Sequence, residues 1–229
     1  MDRLRLDAER NPAPALGAAA ATLPVPRRDA LGCFLRHLAR GERIAERVAH
    51  RQAALAPDAP AARFLASQAR QEAMHAAVFD AAAAALRVPA DAIDDAPYAA
   101  YEARLAAALD RGDFVASVVG TQVVLEALGD ALLARLDRGL AAHGAGFVRL
   151  RRRIRAQEAA HHAFGRALLD RLVATGGATD AAVGAHERAY RQCALALLTA
   201  AEPMLRHFAL TPATIAADLD ARLAGAPAP

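Results

Sequence analysis

The pattern Glu-x-x-His occurs twice in this chain, at Glu72/His75 and at Glu158/His161, and a lone glutamate precedes each: Glu42 by 30 residues and Glu126 by 32. Nine Glu and eight His in 229 residues give about 0.3 such pairs by chance, so the duplication alone is only mildly surprising. The spacing carries more weight. On a helix, residues three apart share a face, so each pair aims a carboxylate and an imidazole at one point. Two antiparallel helices joined by a short turn bring residues to one height when they are equidistant from that turn. Pairing Glu42 with Glu72/His75 places the turn centre at about residue 58, on Pro57-Asp58. Pairing Glu126 with Glu158/His161 places it at about residue 143, in His143-Gly144-Ala145-Gly146. Pro and Gly mark turns at both places independently. Glu46 fits worse, displaced from Glu42 by about 6 Å along the helix.

Helices are what the composition favours. Hydrophobic residues make up 55% of the chain, much of that Ala, while aromatics are 4% and Trp is absent. Ala is the best helix former, and its small side chain lets helices approach closely. The reading is therefore all-α. Residues 1–27 form a leader ending in Pro24 and Pro26. A helix follows from about Asp29, its N-cap, to Leu55, with Leu31, Leu35, Leu38, Glu42 and Ala45 on its inner face. A second runs from about 61 to 87, carrying Phe64, Leu65, Gln68, Glu72, His75 and Phe79 on one side. A connection with two Pro and three Asp (88–97) leads to a shorter helix near 98–110. The next long helix reaches about Ala142, its inner stripe being Val119, Gln122, Val123, Glu126, Gly129 and Leu133. Another covers about 147–174 and stops at Gly176-Gly177. A helix over about 180–208 is interrupted at Pro203, and Thr211-Pro212 opens a last one. The helical domain spans 28–224, with a tail at 225–229.

Six side chains of ligand type thus gather at one level of two packed hairpins. Four carboxylates facing one another inside a bundle are very costly without cations. Two divalent ions offset their charge. A carboxylate set with two imidazoles and no thiolate suits Fe or Mn. The local phrases are Gln71-Glu72-Ala73-Met74-His75 and Gln157-Glu158-Ala159-Ala160-His161. One Glu from each of two helices, with Glu-x-x-His from each of the other two, is the ligand arrangement of ferritin-like di-iron carboxylate proteins. Over residues 29–175 the chain resembles that superfamily. Its motifs look closest to the ribonucleotide reductase small-subunit-like oxidases and oxygenases. Its spacing is similar to aldehyde-deformylating oxygenase and demethoxyubiquinone hydroxylase.

The resemblance implies a ferritin-like four-helix bundle with a long crossover and extra C-terminal helices. It implies two Fe ions, or a Mn/Fe pair, held by Glu42, Glu72, His75, Glu126, Glu158 and His161. Glu72 and Glu158 would bridge, Glu42 with His75 and Glu126 with His161 would complete the shells, and O2 would be the co-substrate. Some positions depart from the family. Many relatives carry Asp before the motif Glu, where Gln71 and Gln157 stand here. Those glutamines lie four residues before their own histidines, within reach, but a neutral amide polarises imidazole less than a carboxylate. Radical-bearing reductase subunits carry Tyr where Phe79 stands, so that activity is rejected.

The function expected is an oxidase or oxygenase acting on a small organic substrate held in the bundle, with an external electron donor and a homodimer as the assembly considered. Ala39, Ala45 and Gly129 are small residues near the ligand level that leave room for the substrate. The alternatives are a ferroxidase or iron-handling protein, a metal-stabilised helical partner without turnover, and a di-iron tRNA hydroxylase. The last rests on Arg149, Arg151, Arg152, Arg153 and Arg155. No aromatic residues interleave that cluster, and a solvated, ion-paired face is its ordinary meaning, so nucleic acid is not the expected partner. Glu46 and Asp130 read as solvated or supporting residues. Gln122 is balanced between pocket wall and core. His162 is structural or exposed. His37, His50, His143, His186 and His207 have no partner pattern.

The net charge of +3 comes with no Lys at all, a compositional habit more than a partner signal. Cys33 and Cys193 build neither a disulfide framework nor a Cys-x-x-Cys site, which suits a reducing cytoplasm. The first 26 residues lack a signal-peptide core. Phe114–Leu125, at 12 residues, is too short to span a bilayer.

Overall fold

The computed structural model describes residues 24–142 and 148–225. It is all-helical, with no strand among the described residues. Helix α1 spans Val25–Leu55 and α2 Ala59–Ala85. The three residues between them centre on Pro57-Asp58, as the symmetry of the ligand spacing requires. Asp58 caps α2 through its side chain, which accepts from the Ala61 N–H at 2.8 Å. Helix α1 begins at Val25, four residues before the expected Asp29 cap. Pro24 stands at its N-cap and Pro26 in its first turn, where a missing N–H costs nothing and the fixed φ is already helical. The two prolines assigned to the leader instead open the helix. The rest of that leader, the second turn with His143, and the tail beyond residue 225 lie outside the described residues.

Helix α3, Ala96–Asp110, forms the helical part of the crossover. The next helix, α4, occupies 114–142 in three pieces: α-helical over Phe114–Val118, π-helical over Val119–Leu125 and α-helical again over Glu126–Ala142. Asp113 caps it, accepting from the Ala116 N–H at 2.9 Å. Helix α5 is Val148–Ala174, and Gly176, at φ 77°, takes the left-handed position that ends it. Helix α6, Asp180–Ala200, stops short of Pro203, which starts the one-turn α7, Glu202–Leu205, and a 3-10 turn, Arg206–Phe208. Helix α8, Pro212–Leu223, is capped by Thr211, which accepts from the Thr214 N–H.

The hairpin α1–α2 packs against α4 and α5, and α3, α6, α7 and α8 cover the outside of α1 and α4. One core joins them, built from Leu31, Leu35, Leu38, Val123, Leu128 and Leu197 among others. Arginine–carboxylate pairs hold the outer helices. Arg135 of α4 grips Asp218 of α8 with two bonds of 2.8 and 2.9 Å, and Arg222 reaches back to Asp130 at 2.7 Å. Asp130 also faces Arg155 at 3.5 Å, so it is a structural anchor. Of the arginine cluster, Arg155 is therefore ion-paired, and Arg152 and Arg153 are exposed. The side chains of Arg149 and Arg151 lie outside those described.

By length and composition, Phe114–Arg135 is the one stretch among the described residues able to cross a membrane, and 78% of its most apolar window is buried inside the protein. The 12-residue run seen in the sequence understates it, because the helix continues unbroken past Glu126.

Candidate metal centre

Three carboxylates from three helices converge on one imidazole. His75 Nδ1 lies 3.1 Å from Glu72 Oε2, 3.0 Å from Glu158 Oε1 and 3.4 Å from Glu42 Oε2. Across the cluster, His161 Nδ1 lies 2.9 Å from Glu72 Oε1 and 3.7 Å from Glu126 Oε2. All six residues named from the sequence are buried, Glu72 and His75 completely. They form two groups of ligand atoms lying within 4.8 Å of one another: Glu42, Glu72, His75 and Glu158, and Glu72, Glu126 and His161. Glu72 belongs to both and offers one oxygen to each. Glu158 falls in the first group, and it also touches Glu126.

The geometry fits cations better than it fits an internal hydrogen-bond network. Glu158 Oε1 and His161 Nδ1 are buried and lack a hydrogen-bond partner among the described residues. Each nevertheless has a neighbour of ligand type within 3.0 Å. The distances are short, but the contacts lack hydrogen-bond geometry. Buried polar atoms left in this state cost free energy unless something else satisfies them. Oxygen and imidazole donors in this number suit Fe or Mn.

Burial and mutual repulsion of the carboxylates favour protonation within the cluster. Burial, reinforced by Glu158, pushes the Glu42 carboxyl well above its usual range, and burial with Glu72 and Glu158 does the same to Glu126. Burial would also raise Glu72, but the adjacent imidazoles of His161 and His75 outweigh it and hold Glu72 well below the usual range. Burial would lower His75; its contacts with Glu158, Glu42 and Glu72 outweigh that and raise it far above an ordinary imidazole.

Around the cluster the glutamines are wired in a way the sequence does not show. Spacing along the helix puts Gln71 within reach of its own motif's His75, and Gln157 within reach of its own His161. Instead they cross: His75 Nε2 meets Gln157 Oε1 at 3.0 Å, and His161 Nε2 meets Gln71 Oε1 at 2.9 Å. Nδ1 faces the carboxylates in both rings, so Nε2 carries the N–H and each amide oxygen accepts. A third set, Gln52, Gln122 and Gln68, forms a buried chain. Gln52 and Gln122 exchange amide bonds of 3.1 and 2.8 Å. Gln122 donates to Gln68 Oε1 at 3.1 Å, and Gln68 Nε2 donates to Glu126 at 2.7 Å and Glu72 at 3.0 Å. Gln122 is thus fully buried, and it fixes the residue that holds two of the carboxylates.

The π segment is the second feature beyond reach of the sequence. It ends on Glu126, whose N–H bonds the Thr121 carbonyl five residues back. Wider turns leave carbonyls needing donors. Tyr101 of α3 donates its O–H to the Gly120 carbonyl at 2.7 Å, and His162 Nδ1 donates to the carbonyls of Gln122 and Val123, both at 3.1 Å. His162 is therefore structural, as its phase on α5 suggests. Gly165, one turn on, lets α5 approach: a Cβ there would collide with the Gln122 side chain.

Next to Glu42, Glu126 and Glu158 lies a cavity of about 40 Å³ whose other walls include Ala45, Gly129 and the pair His37–Tyr98. That is room for roughly three water molecules. Ala45 and Gly129 border it as expected, while Ala39 is packed in the core. Of the histidines read as ordinary, His37 is the exception. It is buried, with Nδ1 2.9 Å from the Tyr98 hydroxyl. Burial lowers its pKa to about 4 against a small opposing pull from Asp94, so it is neutral at pH 7. Its signal in the sequence is faint: a polar residue on the otherwise apolar stripe Phe34–His37–Gly41. A second hollow of about 20 Å³ continues past His37 and Tyr98 toward Phe34 and Met204. Glu46, one turn beyond Glu42, belongs to neither ligand group.

No family model matches this chain, and no curated protein matches it.

Proposed function

We propose that the chain is a ferritin-like protein that holds a pair of iron ions, or manganese and iron, and uses O2 to oxidise a small organic substrate. The observation that carries this reading is the convergence of Glu42, Glu72, His75, Glu126, Glu158 and His161, two of whose buried ligand atoms lack a hydrogen-bond partner among the described residues. Four carboxylates and two divalent ions together leave the bundle interior close to neutral. When bound, the reduced ions supply the electrons and open coordination positions that O2 reduction requires.

The protein's own residues then have definable tasks. Glu72 spans the two positions, with one oxygen toward each histidine. Gln157 and Gln71 keep both rings with Nδ1 inward. Gln68 restrains Glu72 and Glu126, so two carboxylates are oriented before any ion arrives, which reduces the cost of ordering them. Glu42 and Glu126 surrender protons as the ions enter. The largely apolar pocket beside the carboxylates has room for a molecule the size of O2. Its far wall, His37–Tyr98, is neutral, because burial keeps Tyr98 a phenol and His37 uncharged. A substrate larger than this cavity requires that wall to move. The cavity favours oxidation of a bound molecule over mineral storage, which needs an exit for iron and no apolar pocket.

The test is stoichiometric. Anaerobic Fe(II)-loaded protein, exposed to O2, is expected to consume about one O2 per metal pair and stop until it is reduced again. Oxidation of hundreds of Fe(II) per chain with a retained mineral core replaces this reading by iron storage. Failure to retain two ions per chain removes both.

A further inference from the structure

On the histidine side of the cluster, away from the carboxylate-lined cavity, α2 and α5 leave a cleft of about 270 Å³ between them. Its polar lining includes the donors of Gln71, Gln157 and Arg153. Gln71 and Gln157 both border it, and each has its amide oxygen bound to a histidine N–H. A carboxamide pinned by its oxygen must turn its NH2 away from the ring. Gln71 Nε2 has only a long contact of 3.4 Å to Ser67 Oγ, and Gln157 Nε2 has no acceptor among the described residues. Arg153 stands exposed at the rim and pairs with no carboxylate among the described residues. No Asp or Glu lines the cleft. Phe64, stacked on Phe164 at 3.8 Å between ring centroids, supplies an apolar wall.

We propose that this cleft binds a small organic carboxylate, held by Arg153 and by the amide N–H groups of Gln157 and Gln71. The guanidinium fork matches a carboxylate's two oxygens. One positive charge balances a monoanion, whereas a phosphate dianion keeps an uncompensated charge. The aromatic wall suits a ligand with an apolar body. The position of the site gives it a consequence. A carboxylate accepting from an amide N–H makes that amide's oxygen a stronger acceptor, since hydrogen bonds in a chain polarise one another. The anion's charge is thereby relayed through Gln157 to His75 and through Gln71 to His161. It supplies from outside the negative charge that an acidic residue at positions 71 and 157 would have supplied from within. This relay rests on the metal reading given above; the binding does not.

Benzoate is the probe, with benzyl alcohol and inorganic phosphate as controls, on the full chain as purified. Saturable benzoate binding is expected by calorimetry, with benzyl alcohol and phosphate each at least tenfold weaker. Arg153→Ala should weaken benzoate at least tenfold and leave bound metal per chain unchanged. Side-chain amide resonances of Gln71 and Gln157 should shift with benzoate in the unmutated protein, a readout that needs no variant. Absence of saturable binding, or equal binding by Arg153→Ala, overturns the site. Tighter binding of phosphate than of benzoate overturns the ligand class. In Fe(II)-loaded protein, the exchangeable imidazole N–H resonances should move with benzoate and stay fixed in Arg153→Ala. If benzoate binds but those resonances do not move, the relay is wrong. Failure to load iron counts against the metal reading alone, because the calorimetric and amide results stand without it.

Discussion

Glu42 and Glu46 are one helical turn apart on α1, and only one of them reaches the cluster. Glu42 Oε2 lies 3.4 Å from His75 Nδ1 and Glu42 is buried, while Glu46 is half-buried and outside both ligand groups. Glu42→Ala should lower metal affinity by more than the roughly 10–100-fold typical of residues that merely orient ligands. Glu46→Ala should cost no more than that. Bound iron per chain after dialysis, measured for both variants side by side, decides it. An empty site in Glu46→Ala with two ions kept in Glu42→Ala means the register of α1 is off by one turn. Gln68 is open to a similar test. Gln68→Leu removes the hydrogen bonds to Glu72 and Glu126 and one of those made by the Gln122 amide, with a cost of about 1–3 kcal/mol per buried group left unpaired. Thermal unfolding of the variant should show that loss, and unchanged stability would mean the amide chain is not holding the carboxylates.

Among the helices, the π segment Val119–Leu125 is held from two sides, by the Tyr101 hydroxyl and by α5. Gly165→Ala places a methyl group against Gln122, and overpacking of this kind costs about 1–3 kcal/mol. Because Gln122 orients Gln68, the displacement should reach Glu126. The expected result is a lower melting temperature together with weaker retention of one ion. His162→Ala removes the donor to two carbonyls and should act in the same direction. A Gly165→Ala protein with native melting temperature and two tightly bound ions would falsify the view that α5 clamps this segment.

At the scale of the whole molecule, the shifted Glu42, Glu126 and His75 groups lead us to expect opposite pH responses with and without ions. Glu42 and Glu126 have folded-state pKa values raised above 4.5, and His75 is raised above 6.5. A raised group stabilises fully below its unfolded pKa and loses that contribution as pH rises through the folded value. Metal-free protein should therefore lose stability as pH rises above about 4.5. Glu72, held low, loses its contribution only as pH falls below 4.5, so it does not oppose the trend at neutral pH. Metal binding displaces protons and gains from rising pH. The gap in melting temperature between loaded and metal-free protein should widen from pH 5 to pH 8. A constant gap would mean that the cluster does not exchange protons for ions.

The convergence of the six Glu and His residues and the turn at Pro57-Asp58 are legible in the sequence because helix periodicity and hairpin symmetry are local rules: a residue's face and height follow from counting. The cap at Thr211 and the stop at Pro203 are local in the same way. Other features depend on which surfaces meet. The cross-wiring of Gln71 to His161 and Gln157 to His75 is a contact between α2 and α5, and nothing in either motif says that the other motif's ring is nearer than its own. The run Val119–Leu125 reads as ordinary apolar helix; its wider turns are sustained by donors from α3 and α5 and by the absence of a side chain at Gly165. His37 acquires its place only because Tyr98, from a different helix, closes the cavity over it. Counting along the chain is enough to say which residues share a helical face, and so which can be ligands. What stands behind those ligands is fixed only in three dimensions, because hydrogen-bond partners more than fifty residues apart are selected by packing and not by spacing.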